Sequence, residues 1–323
     1  MKKVGIIGGS GYTGGELIRL LLQHPALELE FVYSTTRPGK ALTQAHPDLL
    51  GSTTLQFTDQ VNLEIDVVYL CLGHGNSVTF LKEYTFSEQT LIVDLGNDFR
   101  LKQDANFDGR TFVYGLPELQ REVIEKANTI ANPGCFATAL QLALLPLAKT
   151  ESLKSDVHVH ATTGSTGAGV GLSPTSHFSW RNNNFSWYKP FTHQHLGEIH
   201  QSLEQLHSTP KIHFLPHRGD FTRGIFATVY TEYNGSLAQA QSLYQNFYNT
   251  HPFTHVSDEE ISLKSVINSN NCFLHLHKHE NLLLITSILD NLIKGAAGQA
   301  LQNTNLIMGW EENLGLQIKA STF

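Results

Sequence analysis

Lys3-Val4-Gly5-Ile6-Ile7-Gly8-Gly9-Ser10-Gly11-Tyr12-Thr13-Gly14-Gly15-Glu16-Leu17-Ile18-Arg19-Leu20-Leu21-Leu22 passes from a short apolar stretch through a glycine turn into a helical pattern. Residues 3–7 predict a buried strand, residues 8–14 a turn, and residues 15–22 a helix that ends before Pro25. Strand, glycine turn and helix in this order open a Rossmann-type dinucleotide-binding domain. The glycines permit a tight turn and let a pyrophosphate approach the helix N-terminus closely. The spacing is G-x-x-G-x-x-G at Gly8, Gly11 and Gly14 rather than the commoner G-x-G-x-x-G, and a purely structural turn is the competing reading. No Gly-Lys-Ser/Thr closes the loop, so the phosphate-gripping lysine of a P-loop is missing.

The next strand, Leu29-Glu30-Phe31-Val32-Tyr33, bears on the cofactor. Enzymes that use NAD commonly place an acid just past this strand to hold the ribose 2′-hydroxyl. Here Ser34-Thr35-Thr36-Arg37-Pro38-Gly39-Lys40 follows, with hydroxyls and cations and no acid. That chemistry suits a 2′-phosphate and hence NADP(H), unless Arg37 and Lys40 are simply solvated loop charges. Residues 66–72 and 91–95 predict two further parallel strands. The loops that follow them place Asn76, Ser77 and Arg100 where ligands of open α/β sheets bind.

A second signal is Asn132-Pro133-Gly134-Cys135-Phe136-Ala137-Thr138. Phe136, Leu140, Ala143, Leu144 and Leu147 recur at helical spacing behind it, and Pro146 is expected to limit that helix. Cys135 therefore heads a helix, where unpaired N–H groups and the dipole favour a thiolate nucleophile. The alternative is a small, inert core cysteine.

Composition narrows the class. A chain of 323 residues with 41% hydrophobic and 16% charged residues is long enough for about two folded domains. A net charge of -7 with no basic block argues against nucleic acid as a partner. Cys71, Cys135 and Cys272 lie far apart, the usage of a reducing compartment. Glycines interrupt the N-terminal apolar stretch before a signal-peptide core forms, and no apolar run reaches spanning length. The expectation is a cytoplasmic protein that does not engage membranes.

Beyond residue 150 strand-like stretches dominate, at residues 157–160, 211–215, 224–230, 272–277 and 282–286, predicting a second, α+β domain. Between them lie Gly164-Ser165-Thr166-Gly167-Ala168-Gly169, a flexible loop suited to close approach of a ligand, and His193-Gln194-His195-Leu196-Gly197-Glu198-Ile199. The alternating histidines 193/195 and 275/277/279 invite a metal reading. Zinc, however, needs three or four converging ligands, so no metal is expected. His193 and His195 have a different use open to them, acid–base work beside a cysteine.

With these motifs in order, the chain resembles the N-acetyl-gamma-glutamyl-phosphate reductases, arginine-biosynthesis relatives of aspartate-semialdehyde dehydrogenase. The resemblance rests on residues 8–17, Asn97-Asp98-Phe99-Arg100-Leu101, Tyr114-Gly115-Leu116-Pro117-Glu118-Leu119 and residues 132–138. It continues through residues 164–169, His193-Gln194-His195 with Glu198-Ile199, and residues 290–299.

It implies NADPH-dependent reduction of an N-acyl-glutamyl 5-phosphate to the semialdehyde through a Cys135 thioester. His195 or His193 would be the acid–base group, and Glu198 would orient it or meet substrate. By the same resemblance, Arg100, Asn97, Ser165 and Arg223 bind substrate, and Arg218, which departs from the family pattern, is expected to join them. Gly8, Ser10, Gly11, Tyr12, Thr13, Gly14, Ser34, Arg37, Asn76, Ser77, Gly164, Asn291, Lys294 and Gly295 meet the cofactor. A homodimer or homotetramer is implied.

The implied division is an NADP-binding domain at residues 1–134 with a C-terminal helix at 291–323, and a semialdehyde-dehydrogenase-type catalytic α+β domain at 135–290. Gly73 and Gly197 stand where that family usually has proline, and Gly197 is expected to loosen the turn that carries Glu198. Pro216-His217-Arg218-Gly219-Asp220-Phe221-Thr222-Arg223-Gly224 replaces a largely apolar family stretch. Its added Arg218 suits an N-acyl group with its own carboxylate, succinyl rather than acetyl. Rival readings are a paralogue acting on aminoadipyl or aspartyl phosphate and a non-catalytic NADP-binding regulator.

Overall fold

The computed structural model of the chain describes residues 1–322 and divides into two compact units. The first comprises Met1–Pro133 and Ala296–Gln317; the second comprises Gly134–Gly295 with the described residues from 318 onward. In the first unit β1 (Lys2–Ile7) leads through the glycine turn into α1 (Tyr12–Leu21) and β2 (Leu27–Tyr33). Then come β3 (Phe57–Thr58), β4 (Val67–Leu70), α2 (Ser77–Glu83) and β5 (Leu91–Asp94). A small hairpin of β6 (Asn106–Phe107) and β7 (Arg110–Thr111) precedes β8 (Val113–Tyr114), α3 (Pro117–Ile124) and β9 (Thr129–Ala131). Seven of these strands form a parallel sheet in the order β3-β2-β1-β4-β5-β9-β8. β1 lies between β2 and β4, so the strand order reverses there and opens the crevice used by dinucleotides in such sheets. β4 and β5 are buried along their whole length, which is why they read as continuous apolar runs rather than alternating ones.

The first helix starts at Tyr12, three residues before the periodicity places it. Gly14 and Gly15 are therefore helical, against their weak propensity. Packing explains both: a Cβ on Gly14 would stand 2.7 Å from Gly9 Cα, and one on Gly15 would stand 2.5 Å from the His46 ring.

The second unit begins with α4 (Cys135–Lys149) and β10 (Val157–Thr163). It continues through α5 (Phe178–Arg181), β11 (Ser186–Trp187), α6 (His195–Gln205), β12 (Ile212–Arg218) and β13 (Ile225–Glu232). The last elements are α7 (Leu237–Tyr248), β14 (Thr254–Ser257), β15 (Cys272–His279) and β16 (Leu282–Leu289). They build a mixed seven-stranded sheet, β11-β12-β10-β13-β16-β15-β14, and residues 136–148 of α4 are buried against it without interruption. A helix apolar on all sides is a core helix, and Ser287 Oγ ties it to the sheet through the Ala139 carbonyl at 2.8 Å.

Pro146 does not limit α4, which runs three residues past it to Lys149. A proline there has no N–H for the Leu142 carbonyl, a defect worth about 3 kcal/mol in an ordinary helix. The Tyr248 hydroxyl donates to Leu142 O at 2.5 Å, and Tyr244 donates to Ala143 O at 2.5 Å. Tyr248 of α7 thus supplies the donor that the proline withholds.

The expected helix over 291–323 is much shorter. A single π-helical turn at Ile293–Ala297 leads into α8 (Gly298–Ile307), and the described residues after Gly309 form no further helix. α8 is anchored in the first unit by buried polar side chains: Thr304 pairs with Tyr69 (2.6 Å), and Asn303 donates to the Gly115 carbonyl (2.9 Å). Residues 291–295 and the described residues from 318 belong to the second unit instead.

Candidate active site

Cys135 is the first residue of α4. Gly134 caps that helix without a side chain, and no acid occupies the first turn. The helix end therefore presents backbone N–H groups and positive dipole to the sulfur. His195 lies against the same turn, since a Cβ on Gly134 would stand 2.4 Å from its Nε2; only glycine lets the ring approach the cysteine's neighbour so closely. Glu198 completes the group. Its Oε2 accepts the Gly134 N–H at 2.9 Å, and its Oε1 is 3.9 Å from His195 Nε2. Gly197 lies inside α6, so it does not loosen this arrangement: the first turn of α6 carries both His195 and Glu198, and the Gly134 amide holds the carboxylate. From the other side comes Gly295, where a Cβ would meet Cys135 Cβ at 2.8 Å.

His193 is buried in a box of rings. Its centroid is 4.6 Å from His195, 5.5 Å from Phe136 and Phe214, and 5.7 Å from Tyr188. Its Nδ1 accepts the His195 backbone N–H at 3.3 Å. Burial, with a smaller push from Lys189, lowers its pKa to about 4, so it is a neutral positioning group at pH 7.

The sign of the pH effect follows from that shift. The unfolded chain binds this proton near pH 6.5 and the folded one only near 4, so the group's stability is complete above 6.5 and is lost as pH falls toward 4. The full window corresponds to about 3 kcal/mol. His193→Phe keeps a ring in the box and removes the titration. Urea midpoints between pH 7 and 4 should fall less steeply for the variant than for the parent, although the variant starts lower by about 1 kcal/mol for the lost acceptor. Parallel curves would refute the assignment.

In the first unit the glycine loop fits a dinucleotide. Gly8 adopts φ +83°, and a side chain there would strike the Cys71 carbonyl at 2.7 Å. A Cβ on Gly11, by contrast, would meet nothing within 4 Å, so the N-terminus of the ten-residue α1 is open, uncapped and without an acid in its first turn. Ser10 and Thr13 are half-buried and Tyr12 is exposed at this rim. His46 braces the loop by hydrogen bonding Gly9 O at 2.7 Å. Past β2, Ser34 is buried with its hydroxyl 3.3 Å from that of Thr36, while Arg37 and Lys40 are exposed. These are residues able to hold a pyrophosphate and a 2′-phosphate.

Elsewhere in this unit the expected contacts divide. Arg100 is buried, its Nε on Asn132 O (2.8 Å) and its Nη2 on Leu95 O (3.1 Å), which fixes a cation at the carboxyl ends of β5 and β9. Asn97 is half-buried in the same loop, and exposed Asn76 donates to Leu72 O at 3.1 Å. Ser77 departs from expectation: it is fully buried and its hydroxyl donates to Asp94 at 2.6 Å, so that side chain serves the fold rather than a ligand. Desolvation lifts the Asp94 carboxyl to about 6, and burial beside it lifts the Cys71 thiol to about 12, which makes Cys71 a poor nucleophile.

In the second unit Gly164 is pressed against Thr222 and Arg223, with 2.5 Å from a would-be Cβ to their backbone. Ser165 hangs from Phe221 O. Asn291 accepts the Gly224 N–H (2.6 Å) and donates to Thr166 (3.1 Å), and Lys294 is fully buried. Arg223 faces Asp290 rather than an open pocket, at 2.9 and 3.1 Å. Asp290 in turn accepts the N–H groups of Leu292 and Asn268, so this pair shapes the turn that brings Gly295 to the cysteine. Among the described residues no three His, Cys, Asp or Glu side chains converge on a metal position, and no helix is long and apolar enough to cross a membrane.

Residues 3–127 match the family described as semialdehyde dehydrogenase, NAD binding domain, and residues 135–291 match semialdehyde dehydrogenase, dimerisation domain. The N-acetyl-gamma-glutamyl-phosphate reductase of Flavobacterium johnsoniae is 59% identical, with both chains covered in full. That of Christiangramia forsetii is 58% identical at the same coverage. The chain belongs to the N-acetyl-gamma-glutamyl-phosphate reductase family. Its fold is shared with aspartate semialdehyde dehydrogenase II of Vibrio cholerae, at a TM-score of 0.73 and 14% identity over 96% of this chain and 98% of the other.

Three residues of this reductase-family chain escape sequence reasoning. Tyr188 meets the Arg218 guanidinium, His46 the Gly9 carbonyl and Arg181 the Arg218 charge, none of them a neighbour in sequence, and none of the three stands in a periodic or glycine-marked motif. Asp290 is legible as the acid that opens the Asp-Asn-Leu-Ile-Lys-Gly run.

Proposed function

We propose that this chain reduces an N-acyl-L-glutamyl 5-phosphate to the N-acyl-L-glutamate 5-semialdehyde and phosphate with NADPH, a step of arginine biosynthesis in the cytoplasm. The observation that carries the reading is the His195 ring seated on Gly134, one residue before a cysteine at an uncapped helix head. Full-length identity of 59% to a protein named for this reaction supports it.

In this mechanism His195 takes the thiol proton of Cys135. The sulfur attacks the acyl carbon, the carbon–oxygen bond to phosphate breaks, and phosphate leaves with the electron pair, so the acyl group is held as a thioester. NADPH, when bound, would supply the hydride that reduces the thioester carbonyl carbon. His195 returns its proton to the carbonyl oxygen, then takes it back as the carbon–sulfur bond breaks, which frees the aldehyde and restores the Cys135 thiolate. Glu198, 3.9 Å from the ring, stabilises the positive charge it carries meanwhile. His193 holds the His195 backbone, and Arg100 takes an anionic group of the substrate. The amides of Gly8–Gly14 would hold the pyrophosphate, and Ser34, Thr36 and Arg37 would hold the 2′-phosphate.

A homo-oligomer built through the second unit is part of the same reading. It is supported by the dimerisation-domain match and by exposed Phe178 (76%), Phe185 (61%) and Trp187 (64%).

The test is NADPH oxidation with N-acyl-glutamyl, aspartyl and N-acyl-aminoadipyl phosphates. Turnover should require the glutamyl compound. Arg37→Ala should weaken NADPH, and not NADH, by about tenfold. Reduction of the aspartyl compound alone would overturn the assignment.

A further inference from the structure

Two arginines of the second unit stand together with N–H groups that no acceptor meets. Arg181, the last residue of α5, is only 7% exposed, and its Nε and Nη1 have no hydrogen-bond partner among the described residues. Its Nη2 reaches Ser186 Oγ at 3.4 Å. Ser186 is the cross-strand partner of Arg218 in the β11–β12 ladder, and Arg218 Nε is likewise buried and unpartnered. Burial first, and the Arg218 charge second, hold the Arg181 guanidinium below its usual range. Asp220 opposes them, but its carboxylate also accepts the Asn183 N–H at 2.7 Å. Two cations against one exposed carboxylate leave a net positive charge around the buried Arg181 guanidinium, which is costly unless an anion joins it.

The pair lies on the side of the reactive cysteine. Tyr188 stacks under the Arg218 guanidinium, 4.7 Å from ring centroid to its carbon. The same phenol packs against His193 and is pushed up to about 12 by burial and then by the Cys135 charge. Strand alternation puts Arg218 on the sheet face of Phe214, whose ring is 5.3 Å from Phe136, the residue after Cys135.

We propose that Arg181 and Arg218, backed by Tyr188, form a carboxylate subsite for the substrate's N-acyl group, so that the preferred acyl phosphate carries an acyl chain ending in its own carboxylate, the N-succinyl rather than the N-acetyl compound. The inference rests on the reductase reading above. Both compounds share the glutamyl carboxylate and the phosphate; only the succinyl chain adds an anion for a bidentate guanidinium.

The experiment measures kcat/KM for N-acetyl- and N-succinyl-glutamyl 5-phosphate with the full chain and with Arg218→Leu, Arg181→Met and Arg218→Lys. The parent should favour the succinyl compound by about tenfold or more, and each apolar variant should cut that ratio by about 10- to 100-fold, with Arg218→Lys between. No succinyl preference in the parent overturns the proposal whether or not the variants fold. An equal loss on both compounds overturns it too, because the arginines then hold the shared glutamyl carboxylate. If the parent reduces neither compound, the reductase reading itself fails and takes the proposal with it.

Discussion

Cys135→Ser is expected to lower kcat on the order of 10^4-fold while leaving the fold intact. The substitution changes one atom at the first residue of α4, where neither the buried run of residues 136–148 nor the Gly134 contact to Glu198 depends on sulfur. A serine hydroxyl does not ionise in the field of a helix N-terminus as a thiol does, so the carbon–heteroatom bond to the acyl group fails to form at neutral pH. Two measurements check this. Steady-state NADPH oxidation should vanish, and mass spectrometry of the parent quenched with acyl phosphate alone should show an acyl adduct that the variant lacks. Turnover retained within about tenfold of the parent would remove the covalent step from the mechanism.

Replacing His195 with asparagine should cost about 10^2- to 10^4-fold in kcat, the range of a lost general acid–base group. Asparagine keeps polarity near Gly134 and abolishes proton transfer. KM for the acyl phosphate should change little, because the ring acts on the thiol proton and the carbonyl oxygen rather than on the groups that hold substrate. His193→Phe is the control. With its pKa lowered to about 4 and its Nδ1 occupied by the His195 N–H, His193 acts through its neighbour, and its loss should lower kcat by no more than about tenfold. A dead His193→Phe beside an active His195→Asn would reverse the two roles.

Why the two histidines read alike in sequence and differ in the folded chain is a matter of what surrounds them. His-x-His places both rings near one turn, and nothing local distinguishes them. Phe136, Tyr188 and Phe214 come from three other elements to enclose His193, while the absence of a side chain at Gly134 admits only the His195 ring to the helix head. Proline rules show the same limit. Pro146 looks like a stop because the local rule counts its missing N–H, and the helix continues because Tyr248, a hundred residues on, serves the Leu142 carbonyl. Ser77 is expected from its loop, and Arg223 from the family resemblance, to meet ligands, yet Asp94 and Asp290 occupy them.

Local patterns alone were enough for the β1–turn–α1 unit, the buried parallel strands, the cysteine at a helix head and the change to sheet-rich sequence past residue 150. Each of these is written in neighbouring residues, through side-chain period, glycine conformational freedom and the dipole of a helix end. Which charges are spent on internal partners, which ring lies against Gly134 beside the cysteine, and that the buried Arg181 stands beside Arg218 were settled only by the packed chain. Burial and pairing depend on residues brought together from far along the sequence, and no local pattern encodes that meeting.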